Sequence, residues 1–464
     1  MQPAPTKIHQ PRPGNIPVMY APTRPKRRKG YELLSLLIPA LSCVQVSLIG
    51  RLYASEVILI LLLPLLLRQN PNPFAKPWVR KTMVMGLIWL GALVATDIVR
   101  ATAFADFARG WSRVVITLVS LVATSLLLER DRRRMVMFAV GLVVGYTLTY
   151  FINPSLEAQA QPWKFGVGIP ITLATALAAT WFYSRGFPTG ATLAMLAIAL
   201  VNGYLGHRSQ AGVCLMTAVF IAVQSRKSSR LSGPGWRYAI LLVILAASGF
   251  GCVKLYEYAA GEGLLGETAR QLYEWQSEGT LGLFVGGRSG VFAGITAIAE
   301  SPWLGHGSWV TDSDITLRSS GVLRESGYET MGRSAAQDNA GMLHSHLIGS
   351  WVEAGILGAV FWGWILSLDA RRLSALYQTK EVLTPLIAYF GMLLGWDILF
   401  SPFGAERRFV TPYYLVLLLS FSQVRRRTRL PQMSPIPPHF RDLAARRLLR
   451  IKESVNPSDL RAAR

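Results

Sequence analysis

Of the six histidines in the chain, His9 and His439 lie in basic terminal stretches, while His207, His306, His344 and His346 stand where apolar blocks meet polar loops. Arg208 and Arg288 open apolar stretches beside them, and Glu353 follows inside another. An imidazole with a pKa near 6.5 can take up and release a proton at working pH. A guanidinium keeps its charge and presents a fork of N–H donors that matches phosphate or carboxylate oxygens. Together these residue types fit anion binding coupled to proton transfer. Taken singly, an arginine at the end of a membrane helix is more often an interfacial anchor. Cys43, Cys214 and Cys252 all sit in apolar segments with no CxxC spacing, so they read as packing residues. No metal and no cofactor is expected.

The elements that must hold these residues are apolar and long. The chain has 464 residues, 51% hydrophobic and only 16% charged, too little charge for a soluble protein of this size. Apolar blocks fall at 31–50, 52–67, 82–99, 113–128, 135–153, 165–183, 187–206, 209–224, 237–255, 346–368, 381–400 and 410–424. A hydrocarbon core about 30 Å thick needs about 20 helical residues at 1.5 Å each, and the blocks match that length. The expectation is an all-α polytopic membrane protein with about 12 transmembrane helices. The second and fourth blocks are short enough to leave the count open by one or two.

A net charge of +22 invites a nucleic-acid reading, but the basic residues argue otherwise by position. Most of them fall in the tails and in one alternate set of connections, at 26–29, 68–81, 130–134, 185, 226–237, 371–372 and from 425 onward. Such connections resist translocation, so both termini are expected in the cytoplasm and no nucleic-acid partner is expected. This divides the chain into a basic Pro-rich tail (1–30), nine helices (31–255), a long periplasmic loop (256–343), three helices (344–424) and a basic tail (425–464). Within the loop, periodicity predicts helices at about 262–278 and 289–300, while 312–339 is polar and rich in Ser and Gly. The last tail carries a Pro-rich spacer and a basic amphipathic stretch, 440–452, best explained as a solvated topology signal.

Three motifs resemble the O-antigen ligase and Wzy-type polysaccharide polymerase superfamily. His344-Ser345-His346-Leu347-Ile348 followed by Glu353-Ala354-Gly355-Ile356-Leu357-Gly358 is similar to its His-x-x-x-Leu and Glu-x-Gly-Leu-Leu-Gly signature. Gly287-Arg288-Ser289-Gly290 followed by Pro302-Trp303-Leu304-Gly305-His306-Gly307 is similar to its arginine and PLLGxG segment, and Arg208-Ser209 to its SR element. The resemblance covers about 202–358. It departs at Ser345, where an Asn is usual, and His346 rivals His344 for the signature position.

The resemblance implies transfer of a saccharide from an undecaprenyl diphosphate carrier to a sugar hydroxyl, without metal or cofactor, at the outer face of the bacterial inner membrane. The partners implied are that lipid-linked saccharide, a glycan or lipid A core acceptor, the bilayer and polysaccharide assembly proteins. Arg208 and Arg288 would hold the diphosphate and His344 would act as general base; in a straight helix Glu353 falls on the far side from His344 and takes a structural role. Weaker substrate-binding candidates are His346, His306, Lys164, Arg407 and Arg408, with Arg109 and His207 nearby and Asp397 placed to pair with Arg407 or Arg408. Trp111 and Trp163 read as interfacial anchors. The main alternative is a transporter or flippase of lipid-linked glycans, for which mid-helix charges and repeated halves would be expected.

Overall fold

The computed structural model describes residues 29–47, 50–69, 72–226, 289–310 and 345–420, with scattered residues between 251 and 274. The protein is predominantly helical. Five helical segments are long and apolar enough to cross a membrane: α3 (Pro77–Arg100), α4 (Phe104–Leu128), α5 (Arg132–Ile152), α7 (Gly168–Ser184) with the π-helical turn Trp163–Val167 that leads into it, and α11 (His346–Gln378). The other helices are α1 (Lys29–Ala40), α2 (Ala54–Gln69), α6 (Leu156–Ala160), α8 (Pro188–Tyr204), α9 (Arg208–Ser225), α10 (Ser289–Glu300), α12 (Thr384–Phe400) and α13 (Ala405–Ser420). The predicted block at 237–255 and most of the predicted helix at 262–278 lie outside the described residues; the predicted helix at 289–300 is α10.

The first apolar block does not form one span. α1 has 12 residues, about 18 Å of helix, and it ends beside Pro39 in a short 3-10 turn. An antiparallel hairpin follows, β1 (Gln45–Ser47) paired to β2 (Arg51–Tyr53) with Val46 opposite Leu52. The all-α expectation holds for the rest of the described chain, to which this short hairpin is an addition. Hydropathy alone could not show it, because an apolar run reads the same in a strand as in a helix.

Close packing of α1 on α5 rests on small residues. Gly141 and Gly145 form a GxxxG spacing on α5, and a Cβ at either would collide with backbone of α1, at the Leu36 and Pro39 carbonyls. α4 runs through the middle of the bundle, buried over most of its length, against α2, α3 and α13. An aromatic cluster joins α3 to α11: Trp89 stacks on Phe361 at 4.9 Å, and Trp362 meets Phe403 edge-on at 4.8 Å. This cluster forms the floor beneath the polar groups described next.

Candidate functional site

The two strongest motifs interlock through backbone. α11 is broken where Ala354 and Gly355 leave helical geometry, Gly355 at φ 64°, ψ −163°, a region open only to glycine. A helix break frees carbonyls, which inside a membrane domain must find donors within the protein. They find them in the 305–307 turn: the His306 N–H donates to the Val352 carbonyl (2.7 Å) and the Gly307 N–H to the Glu353 carbonyl (3.1 Å). Gly305 and Gly307 have φ of +87° and +96°, and a Cβ on Gly355 would collide with the Trp303 carbonyl. Glycines at these three positions therefore let the two chains approach.

Side chains from α3 hold the same turn. Thr96 donates to the Leu304 carbonyl (2.6 Å) and Arg100 Nε to the Gly305 carbonyl (3.0 Å). Buried Asp97 accepts from the Ser308 N–H, the Ser308 hydroxyl and the Trp111 indole, each at 2.6 Å. Trp111 is thus tied into the protein by its indole rather than standing as a simple anchor at the bilayer surface.

Before the break, residues 346–353 form a short helix of their own. Ser345 caps it, accepting from the Ile348 N–H (3.1 Å) and donating to the Ile398 carbonyl (2.9 Å). With 3.6 residues per turn, His346, Gly349, Ser350 and Glu353 share one face, and all four line a cavity of about 60 Å³ closed by Arg113, Trp309 and Phe403. Glu353 forms a buried ion pair with Arg113 and accepts a long bond from the Trp309 N–H (3.3 Å). His346 is 1% exposed, its ring against Trp362 (4.7 Å) and Phe403 (5.0 Å). Among the described residues neither ring nitrogen makes a hydrogen bond of good geometry, although the Pro402 carbonyl lies close by.

Other sequence candidates gather at this end of the helices. Arg208 is the first residue of α9, half-buried, and its charge bears on Lys164, whose Nζ lies 4.7 Å from the Phe165 ring centre. His207 precedes α9. Burial first, then the positive charges of Lys164 and Arg407, push its imidazole down to about 4, so near neutral pH it is uncharged. Arg407 pairs with Asp397 at 2.9 Å, and its field, with that of Arg113, reaches His346. Four cations, Lys164, Arg208, Arg407 and Arg113, thus act on one another or on the two histidines, with Asp397, Glu406 and Glu353 as the carboxylates beside Arg407 and Arg113.

Two candidates are placed elsewhere by their bonds. Arg408 points into a buried pair with Glu56 (2.5 and 2.7 Å) and also donates to the Arg51 carbonyl, so it locks the hairpin to α13 and does not face the cavity. His306 Nε2 lies 2.8 Å from the Ala297 carbonyl, tying the turn to the end of α10. Trp163 donates its indole N–H to Asn202 (3.0 Å), an internal bond in place of the anchor role expected for it. Glu353 lies beyond the straight-helix reasoning, since the helix starts only at His346 and Ser345 before it is extended. His344 and Arg288 lie outside the described residues.

Sequence reading passed over Arg113, Trp309 and Asp97. Arg113 carried a usable signal, as a charge within an otherwise apolar helix. Trp309 and Asp97 carried little, because Trp309 meets Glu353, and Asp97 meets Ser308, across more than 40 residues of chain. Compared with known proteins, the chain matches no family model, no curated protein and no solved structure. Among the described residues, no group of three His, Cys, Asp or Glu side chains is placed to hold a metal ion.

Proposed function

We propose that the chain transfers a saccharide from an undecaprenyl diphosphate carrier to a sugar hydroxyl, of a growing glycan or of a lipid A core, at the outer face of a bacterial inner membrane. The supporting observation is the excess of cations at one end of the bundle, where Lys164, Arg208, Arg407 and Arg113 surround His207 and His346. An anionic leaving group is stabilised most where fixed cations face it in a water-poor site. In the reaction, the acceptor oxygen bonds to the anomeric carbon as the bond to the diphosphate breaks. The electron pair leaves on the diphosphate, and the hydroxyl proton passes to His344. That residue directly precedes Ser345 in the sequence, and Ser345 caps the short helix and lines the cavity.

The test uses purified protein in liposomes containing a lipid-diphosphate-linked saccharide, with product followed by chromatography. Arg208→Ala is expected to slow transfer by about 10²-fold, and His344→Ala by about 10²–10⁴-fold. Undiminished product from His344→Ala overturns the assignment of the base, and no product from the unaltered chain overturns the reaction. A second reading, movement of lipid-linked glycans across the bilayer, is favoured by the break in α11 beside a polar cavity, a feature common in transporters. Loss of a fluorescent lipid-linked glycan from one leaflet without any new glycosidic bond would select it.

A further inference from the structure

The cavity has a composition that holding a diphosphate does not explain. Its walls join two aromatic rings, Trp309 and Phe403, to a carboxylate–guanidinium pair and to an imidazole buried without a good hydrogen bond. A buried polar group left in this state signals a missing water or ligand group. About 60 Å³ admits one or two water-sized groups, enough for a hydroxyl or hydroxymethyl and too little for a whole sugar ring.

Trp309 lines the cavity and is half-buried. It adopts φ +56°, which a bulky residue enters only when its surroundings force it there. The forcing contacts are visible. Its neighbour Ser308 is bound twice by Asp97, its own N–H reaches Glu353, and its ring lies over two guanidiniums, Arg109 at 5.6 Å and Arg113 at 6.0 Å from the ring centre. An aromatic platform held rigidly beside planar polar groups is the chemistry that receives a pyranose, whose C–H face packs on a ring while its hydroxyls bond at the edge.

We infer that this cavity is a neutral-sugar subsite, in which Trp309 stacks against a pyranose and His346, Glu353 and Arg113 hold one of its hydroxyl or hydroxymethyl groups. This rests on the proposed transfer reaction only in naming the sugar as the acceptor; binding of the sugar itself does not depend on that reaction. Trp309, His346 and Glu353 would then set which acceptor is accepted, apart from the cations that face the diphosphate.

The experiment is saturation-transfer NMR on the full chain in lipid nanodiscs with free glucose, galactose, mannose, rhamnose and N-acetylglucosamine as probes. At least one is expected to receive saturation on its ring protons. The signal should fall about 5-fold in Trp309→Ala, recover in part in Trp309→Phe, and stay unchanged in Arg185→Ala, an exposed residue at the far end of α7 from Lys164. Gly404→Val provides a second variant that leaves the platform intact: Gly404 lines the cavity, and a Cβ there meets no atom within 4 Å. It should reduce the signal as Trp309→Ala does. Absence of saturation with every probe, or saturation in Trp309→Ala and Gly404→Val equal to that of the unaltered chain, overturns the subsite. If Arg208→Ala abolishes transfer while Trp309→Ala leaves the acceptor KM unchanged, the subsite falls and the transfer reaction stands. Saturation that depends on Trp309 in a chain that makes no product supports the subsite and removes the reaction.

Discussion

Two buried ion pairs join distant parts of this chain, and they are finished differently. Arg408 and Glu56 meet through both carboxylate oxygens, a further bond goes to the Arg51 carbonyl, and Glu56 also accepts the Tyr53 N–H (3.0 Å). Arg113 and Glu353 are also buried, and Arg113 donates to the Phe403 carbonyl (3.1 Å), but their pair borders a cavity, one carboxylate oxygen has only a 3.3 Å bond, and Arg113 Nε has no partner among the described residues. The first pair is saturated and serves to hold the hairpin. The second keeps bonding capacity in reserve. Burial of a charge pair does not by itself separate structure from function; unspent hydrogen-bonding capacity next to open space does.

The largest way to break this contrast is to remove one member of the saturated pair. Glu56→Ala strands the Arg408 guanidinium in the interior, and thermal unfolding in detergent should show a loss of about 3–5 kcal/mol, with transfer per folded molecule retained. A fall in transfer beyond the loss of folded protein would mean that this pair, too, belongs to the site. Next is Gly355→Ala. A side chain is strained at that φ and collides with the Trp303 carbonyl, so a cost of about 1–3 kcal/mol is expected, with transfer lost because the cavity face is displaced. Unchanged stability there would show that the break does not need glycine.

Glu353→Gln tests the reserve directly. It keeps shape and removes charge, so stability should fall by about 1–3 kcal/mol, while the acceptor KM rises more than kcat falls. The reverse split would make Glu353 part of the chemical step. The smallest effect concerns His207, outside both pairs. Its pKa in the folded chain is depressed to about 4, so below about 6.5 the unfolded chain takes up a proton that the folded chain refuses. Stability is therefore level above pH 6.5 and declines from there to pH 4, by about 1–2 kcal/mol after screening by solvent. His207→Asn should flatten that slope in a pH series of melting curves; a slope that persists assigns the titration elsewhere.

Much of this arrangement was legible in the sequence, and the limits have physical causes. Apolar blocks give α2, α5, α7, α8, α9 and α12 to within about three residues, because membrane thickness sets both length and composition, while α3 starts five residues before its block and α11 runs ten beyond. The first block misled, since it holds a short helix, a turn and a strand of equal hydropathy. Asp397, near a helix end, is expected to pair with Arg407 or Arg408, and the structure pairs it with Arg407. The face 346, 349, 350, 353 is visible as a helical repeat. The break after it is not, because its cause is a backbone turn nearly fifty residues earlier that supplies the missing donors. Arg113 faced the same obstacle: a cation in an apolar helix announces a partner without saying where it is.

The segment 311–344 leaves the described structure at Val310 and returns at Ser345, and both of these residues line the same cavity. Each is anchored independently, one by the turn that α3 and Glu353 hold, the other by its cap and the Ile398 carbonyl. The entry and exit of that segment are fixed side by side by bonds it does not make. Both walls therefore keep their places through contacts with α3, Glu353 and the Ile398 carbonyl, and the cavity between them is built from elements far apart in sequence.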